Sequence, residues 1–188
     1  MYLAVIRLVS SSGYLIYGDL QCLHTQNLLF TPIGTIHSPF TEPAGMPIQP
    51  AGAVGVRGTI VINEKLRDGL RDLNGFSRII LLYYLHRSQG YSLDVIPFLD
   101  TIPHGVFATR APRRPNAIGL SIVRLISVND CELVIEDVDV VDGTPLLDIK
   151  PYVPEFDCYP DEKSGWFAGC RERVAGVRAD QRFCGKGT

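Results

Sequence analysis

The sequence of 188 residues has no excess of either charge: 18 Lys and Arg stand against 20 Asp and Glu, a formal net charge of -2. That excludes wholesale polyanion binding by a basic surface, so any nucleic-acid contact must be a local patch. Cysteines are few, five at positions 22, 131, 158, 170 and 184, with no Cys-x-x-Cys and no His/Cys pairing at metal spacing. An odd count without a pairing pattern reads as free thiols in a reducing compartment, with no metal expected. No apolar run approaches the roughly 20 residues that cross a bilayer. The apolar start at 2–9 is broken by Arg7 and lacks the basic region of a secretion signal. The expectation is a soluble, cytoplasmic protein with no membrane partner. Neither a G-x-G-x-x-G after a strand nor a G-x-x-x-x-G-K-[ST] occurs, so Rossmann and P-loop cofactor sites have no support. Ile118-Gly119-Leu120-Ser121-Ile122 lacks the first glycine of a nucleophile elbow, which speaks against a serine hydrolase.

What is present is a chain with 46% hydrophobic and 20% charged residues, able to bury a core and fold alone. Eighteen Gly and 13 Pro, spread along it, favour short strands and loops over long helices. Strands are expected at 59–62, 79–85, 105–109, 118–128, 132–141 and 146–150, the run at 79–85 being apolar enough for burial on both faces. Asn63 is a helix N-cap followed by Leu66, Leu70 and Leu73 on one face, ending at Asn74-Gly75. Asp142-Gly143 is the dipeptide of a tight hairpin. Short strands with tight turns point to a mainly β fold: a small closed β-barrel with meander-like strands and short helices, not a Rossmann fold, since closure removes sticky edges. The expected organisation is an N-terminal extension at 1–31, read as a hairpin of 2–9 with 14–17, a barrel domain at 32–157, and a polar, locally basic tail at 158–188. That tail, with Arg171, Arg173, Arg178, Arg182 and Lys186 against Glu172 and Asp180, reads as a frayed solvated end before an RNA-contacting arm.

Two stretches carry chemistry. Arg110, Arg113 and Arg114 lie within five residues of a loop stiffened by Pro112 and Pro115. Guanidinium groups suit phosphate or carboxylate, and a rigid loop loses less entropy on binding. The acidic counterpart runs through Glu136, Asp137 and Asp139, and strand alternation sets Asp137 and Asp139 on one face with Val138 and Val140 on the other. Asp148 and Lys150 share a strand face, as an ordinary ion pair or a catalytic one. His86 and His104 read as ordinary polar strand ends.

Ile33-Gly34-Thr35-Ile36-His37-Ser38-Pro39-Phe40, Gly105-Val106-Phe107-Ala108-Thr109-Arg110, Arg114-Pro115-Asn116, Ile118-Gly119-Leu120-Ser121 and Asp142-Gly143-Thr144-Pro145, through Asp148-Ile149-Lys150-Pro151-Tyr152, resemble the TrmO-type tRNA adenosine-N6 methyltransferases over about residues 32–157. The resemblance implies a dimeric β-barrel that binds S-adenosylmethionine near the subunit interface. It also implies N6-methylation of threonylcarbamoyl-adenosine beside the anticodon of threonine tRNA. Cofactor contacts would fall on Pro47, Ile48 and Gln49, on His86 and Arg87, on Arg110 and Leu120, and on Glu136, Asp137, Val138 and Asp139. Asp148, oriented by Lys150, or Asp139 would take the proton from the acceptor nitrogen, and Arg113 and Arg114 would meet the phosphates of the anticodon stem-loop. Departures from the family pattern are Ile48 where arginine is usual, Arg78 where histidine is common, and Ala111 and Ala117 for serine and proline. Two other readings stay open: a non-catalytic barrel binding RNA or a nucleotide, and methyl transfer to another small acceptor.

Overall fold

The computed structural model describes residues 28–183, so the expected hairpin of 2–9 with 14–17 lies outside them. The strands in chain order are β1 (Gly34–His37), β2 (Arg57–Ile62), β3 (Arg78–Tyr84), β4 (Asp94–Val95), β5 (His104–Gly105), β6 (Ile118–Asn129), β7 (Glu132–Glu136) and β8 (Thr144–Pro151). Six of them close a barrel in the order β1-β2-β7-β6-β3-β8, with β8 pairing back to β1, while β4 and β5 form a separate two-stranded ladder. This is the mainly β closed barrel that the turn-rich, β-branched sequence predicts. Among the described residues no helix is long and apolar enough to cross a membrane.

The core is built by alternation. Ile79, Leu81 and Tyr83 on β3 point inward, as do Gly119, Ser121, Val123 and Leu125 on the paired β6, and they meet Ile36, Ile60, Leu133, Ile135 and Leu146. The outward set of β3 is not covered: Ile80 and Leu82 are half-buried and Tyr84 is exposed. The apolar run therefore does not mark a strand buried on both faces, because a barrel this small leaves its outer wall bare. At the β3–β6 crossing, a methyl on Gly119 would overlap the Tyr83 ring, so only glycine lets the two strands approach here.

Four expectations are corrected. The segment at 105–109 is mostly not strand: after the two residues of β5, Val106–Ala108 makes a 3-10 turn that buries Val106. The strand expected at 132–141 stops at Glu136, because Asp137 takes a left-handed backbone (φ 68), which ends the alternation. Gly143 has a positive φ of 73, yet β7 and β8 are not neighbours in the barrel, so Asp142-Gly143 turns the chain without forming a hairpin. The helix after Asn63 is a 3-10 helix, Glu64–Leu70. The Asn63 side chain accepts a hydrogen bond from the Lys65 amide as a cap, and Asp72 at φ 66 breaks the helical run before Leu73–Gly75.

The polar C-terminal segment is not frayed through residue 183. Cys170 and Val174 are buried against Leu99, with Ile48, Trp166, Phe167 and Val177 packed around them. Gly45 and Met46 exchange backbone hydrogen bonds with Ala179, Arg173 donates to the Leu99 carbonyl at 2.8 Å, and the Phe183 ring meets Phe98 edge-on at 5.1 Å. Polar composition hid these anchors because 3-10 turns give apolar residues no regular period.

Candidate active site

Where β3 ends and β6 begins, the barrel opens into a cavity of about 730 Å³, a volume suited to a nucleotide-sized ligand. Its walls come from four places: the Pro47-Ile48-Gln49 loop, His86 and Arg87 after β3, the loop around Arg110, and the C-terminal segment. Tyr83, Gly119, Leu120, Asp139 and Thr144 complete it on the barrel side.

Asp139 is a buried carboxylate in the cavity wall. Only 9% exposed, it follows the break at Asp137 into a run that is buried from 137 to 141. Ser121 Oγ donates to Asp139 Oδ1 at 2.6 Å, and the Tyr83 hydroxyl lies 3.0 Å from the same Ser121 oxygen. Burial pushes the Asp139 carboxyl up to about 6, against the Ser121 hydrogen bond and the Arg110 charge, which both pull it down. Burial likewise raises the Tyr83 phenol, reinforced by the Asp139 charge, so it stays protonated. A carboxylate poised near 6 at the edge of an apolar cavity can accept a proton or face a cation.

Arg110 lines the same cavity, near enough for its charge to act on Asp139. Its Nη1 donates to Gln49 Oε1 at 2.8 Å, tying the arginine loop to the Pro47-Ile48-Gln49 loop. His86 contacts Thr144 Oγ1 through Nδ1 at 3.3 Å; burial, and then the Arg87 charge, hold its pKa down and keep the ring neutral. Ile48, which departs from the family's arginine, packs into the apolar cluster of Leu99, Cys170 and Val174, so an aliphatic side chain suits a C-terminal segment folded over this loop.

Of the residues singled out by sequence, Pro47, Ile48, Gln49, His86, Arg87, Arg110, Leu120 and Asp139 converge on the cavity. Others do not. Asp137 accepts from the Gly55 amide at 3.0 Å and from Arg78 Nη2 at 3.1 Å, and Val138 is core. Arg78, which stands where a histidine is common in the resembled family, thus fixes the turn that sends Asp139 inward. Glu136 pairs with Arg57 and Arg124 outside the barrel. Asp148 and Lys150 form a half-exposed ion pair at 2.8 Å on β8 and do not line this cavity. Arg114, expected at RNA phosphates, does line the cavity, but its Nη1 donates to the carbonyls of Val106 and Thr109 at 3.1 and 2.8 Å, which holds the loop in shape. Arg113, its neighbour, is half-buried.

Sequence reasoning missed Tyr83, Ser121, Thr144 and Trp166. The signal for Ser121 was legible: it is a hydroxyl at an inward position between Gly119 and Val123 on an otherwise apolar face, and such a group needs a partner. Among the described residues no three His, Cys, Asp or Glu side chains gather as a metal site.

Residues 35–158 match the tRNA-methyltransferase O N-terminal domain. A probable S-adenosyl-L-methionine-binding protein of Pyrococcus abyssi is 48% identical over 156 residues, covering 83% of this chain and 85% of that protein. The human tRNA (adenine(37)-N6)-methyltransferase is 36% identical over 142 residues, which are 72% of this chain but 32% of the human one. The crystal structure of TrmO from Pseudomonas aeruginosa superposes with a TM-score of 0.65 at 38% identity, over 77% of this chain and 63% of that one. The chain belongs to the family of the tRNA-methyltransferase O N-terminal domain.

Proposed function

We propose that this protein is an S-adenosylmethionine-dependent methyltransferase acting on the N6 nitrogen of an adenosine in tRNA, with threonylcarbamoyl-adenosine beside the anticodon of threonine tRNA as acceptor. The observation that carries the reading is that Arg110 and Asp139 line one cavity. The residues fit the donor: a guanidinium for its carboxylate, a buried carboxylate for its cationic centre, and apolar walls for its adenosine. When bound, the donor supplies an electrophilic methyl group on a sulfonium sulfur, released as the neutral thioether.

The chain's own residues do the rest. Arg110, held by Gln49, orients the carboxylate end, and the cavity walls exclude water and align the two reactants, an effect worth about 7–11 kcal/mol in well-oriented reactions. The acceptor nitrogen must lose its N–H proton as the new C–N bond forms, and Asp139 Oδ receives it, with Ser121 steadying the resulting charge balance. Asp139 is preferred over Asp148 for this step because Asp148 lies outside the cavity. Arg113, half-buried in the arginine loop, is assigned to anticodon-loop phosphates, where a guanidinium positions RNA without reading sequence. A second copy is assigned to the bare apolar wall of β3 and β6, and the cytoplasm to the site of action.

Transfer of labelled methyl from S-adenosylmethionine tests the reading. Label should enter threonine tRNA carrying the threonylcarbamoyl group and not its unmodified transcript. Label in both would move the acceptor away from that group, and label in neither, with the donor still bound, would leave the non-catalytic nucleotide-binding barrel as the better reading.

A further inference from the structure

Trp166 is the only tryptophan of the chain, and it lies beyond the residues that match the family domain. It sits on the short turn Gly165–Phe167 and lines the cavity opposite the barrel. Polar and ring contacts hold the indole. Its Nε1–H donates to the Ala108 carbonyl at 2.7 Å. The His104 imidazole stacks on it at 4.7 Å between centroids with an interplanar angle of 19°. Phe167 meets it edge-on at 5.9 Å. His104 is itself fixed by Asp100, 2.9 Å from its Nε2, and stays outside the cavity lining.

The indole also packs against the apolar cluster of Leu99, Cys170 and Val174, so it is held in place where it lines the cavity. We propose that Trp166 is a preformed stacking platform for the purine ring of the ligand that enters this cavity. The side chain is ordered when the protein folds, so binding does not carry that entropy cost. Stacking of a base on an aromatic ring is sequence-tolerant but strongly favourable for any purine. The proposal rests on the cavity being an adenosine site, and either the methyl donor or the acceptor nucleoside could present the ring.

A single tryptophan makes its own reporter. S-adenosylhomocysteine and an RNA anticodon stem-loop are titrated separately into the full chain, following indole emission, with affinities measured in parallel by calorimetry. Quenching by S-adenosylhomocysteine assigns the platform to the donor's adenine; quenching by the stem-loop alone assigns it to the acceptor base. Trp166→Ala should weaken the quenching ligand roughly 5- to 150-fold, while Trp166→Phe, which keeps a ring, should retain most of the affinity. If Trp166→Ala fails to fold by circular dichroism, Trp166→Phe and the wild-type emission still decide. Calorimetric binding of S-adenosylhomocysteine and stem-loop with unchanged emission, and unchanged affinity in Trp166→Ala, would overturn the platform while leaving the methyltransferase reading intact. Binding of neither probe to the wild type would overturn both.

Discussion

Ser121 donates a 2.6 Å hydrogen bond to the carboxylate of Asp139 from inside the barrel wall, so the proton affinity of the cavity's acid is set by a residue of β6. Burial raises the Asp139 pKa to about 6 and the Ser121 bond lowers it. Under single-turnover conditions the methyl-transfer rate should therefore rise with pH through about 6 and then level off. Asp139→Asn should remove that rise and cost at least about a hundredfold in rate. Ser121→Ala should keep the rise but move it to higher pH. Wild-type turnover in Asp139→Asn, with loss in Asp148→Asn, would return the proton acceptor to Asp148.

The same group makes a stability prediction of definite sign. A carboxyl whose folded pKa lies above its ordinary 3.8 binds its proton more tightly when folded. It contributes nothing adverse below about pH 4, destabilises progressively between 4 and 6, and by a constant amount above 6. Asp139→Asn should accordingly be more stable than the wild type near pH 7.5, by up to about 3 kcal/mol for a shift of about two units. The difference should vanish as pH falls to 4. Denaturant unfolding at several pH values measures it, and a variant less stable at every pH would show that the buried charge is compensated.

Gly119 and Tyr83 couple fold to site. A methyl on Gly119 overlaps the Tyr83 ring, whose hydroxyl holds Ser121. Gly119→Ala should cost about 1–3 kcal/mol of stability as overpacking, and should lower methyl transfer more than it lowers folded population, because the Tyr83–Ser121–Asp139 chain is displaced. Thermal unfolding read beside single-turnover rates separates the two effects.

What the sequence made legible follows the same division. The strands β2, β3 and β6 are written in β-branched and aromatic runs, and closure could be inferred from their number and tight turns. The break at Asp137 could not, because an aspartate in a left-handed backbone looks in sequence like one more step of an alternating strand. Missing that break placed Asp137 and Asp139 together, where the structure sends one to Arg78 and Gly55 and the other into the cavity. Arg110 was legible as part of a proline-stiffened arginine loop, whereas Gln49 and His86 were reached as cofactor contacts only through the family resemblance, which spans them. Trp166, Cys170 and Val174 lie outside it, in 3-10 turns where burial follows no period, and average polarity concealed a wall of the site.

Arg113 and Arg114 should part company on mutation. Arg114 spends its guanidinium on the carbonyls of Val106 and Thr109, and Arg114→Ala leaves these acceptors without a charged donor, at about 1–3 kcal/mol. A lowered melting temperature and weaker binding of every ligand should result. Arg113→Ala should flatten the salt dependence of tRNA binding by about one phosphate contact. An unchanged salt slope in Arg113→Ala would remove this residue from the RNA interface.

The outer wall of β3 and β6 calls for a partner. Ile80 pairs with Ile122, Leu82 with Leu120 and Tyr84 with Ile118, and Tyr84, Ile118 and Leu120 are each at least 40% exposed. A contiguous apolar patch on a folded surface marks an interaction site. Leu120 also lines the cavity, so a second copy seated on this wall would close one side of the site against water. Ile122→Glu, which puts a charge in the patch at a position outside the cavity lining, should yield a monomer by light scattering. If the wall is a dimer interface that completes the site, the monomer should bind S-adenosylhomocysteine more weakly than the wild type. A wild type that is itself monomeric at micromolar concentration would leave the wall to tRNA instead, and Ile122→Glu should then weaken RNA binding alone.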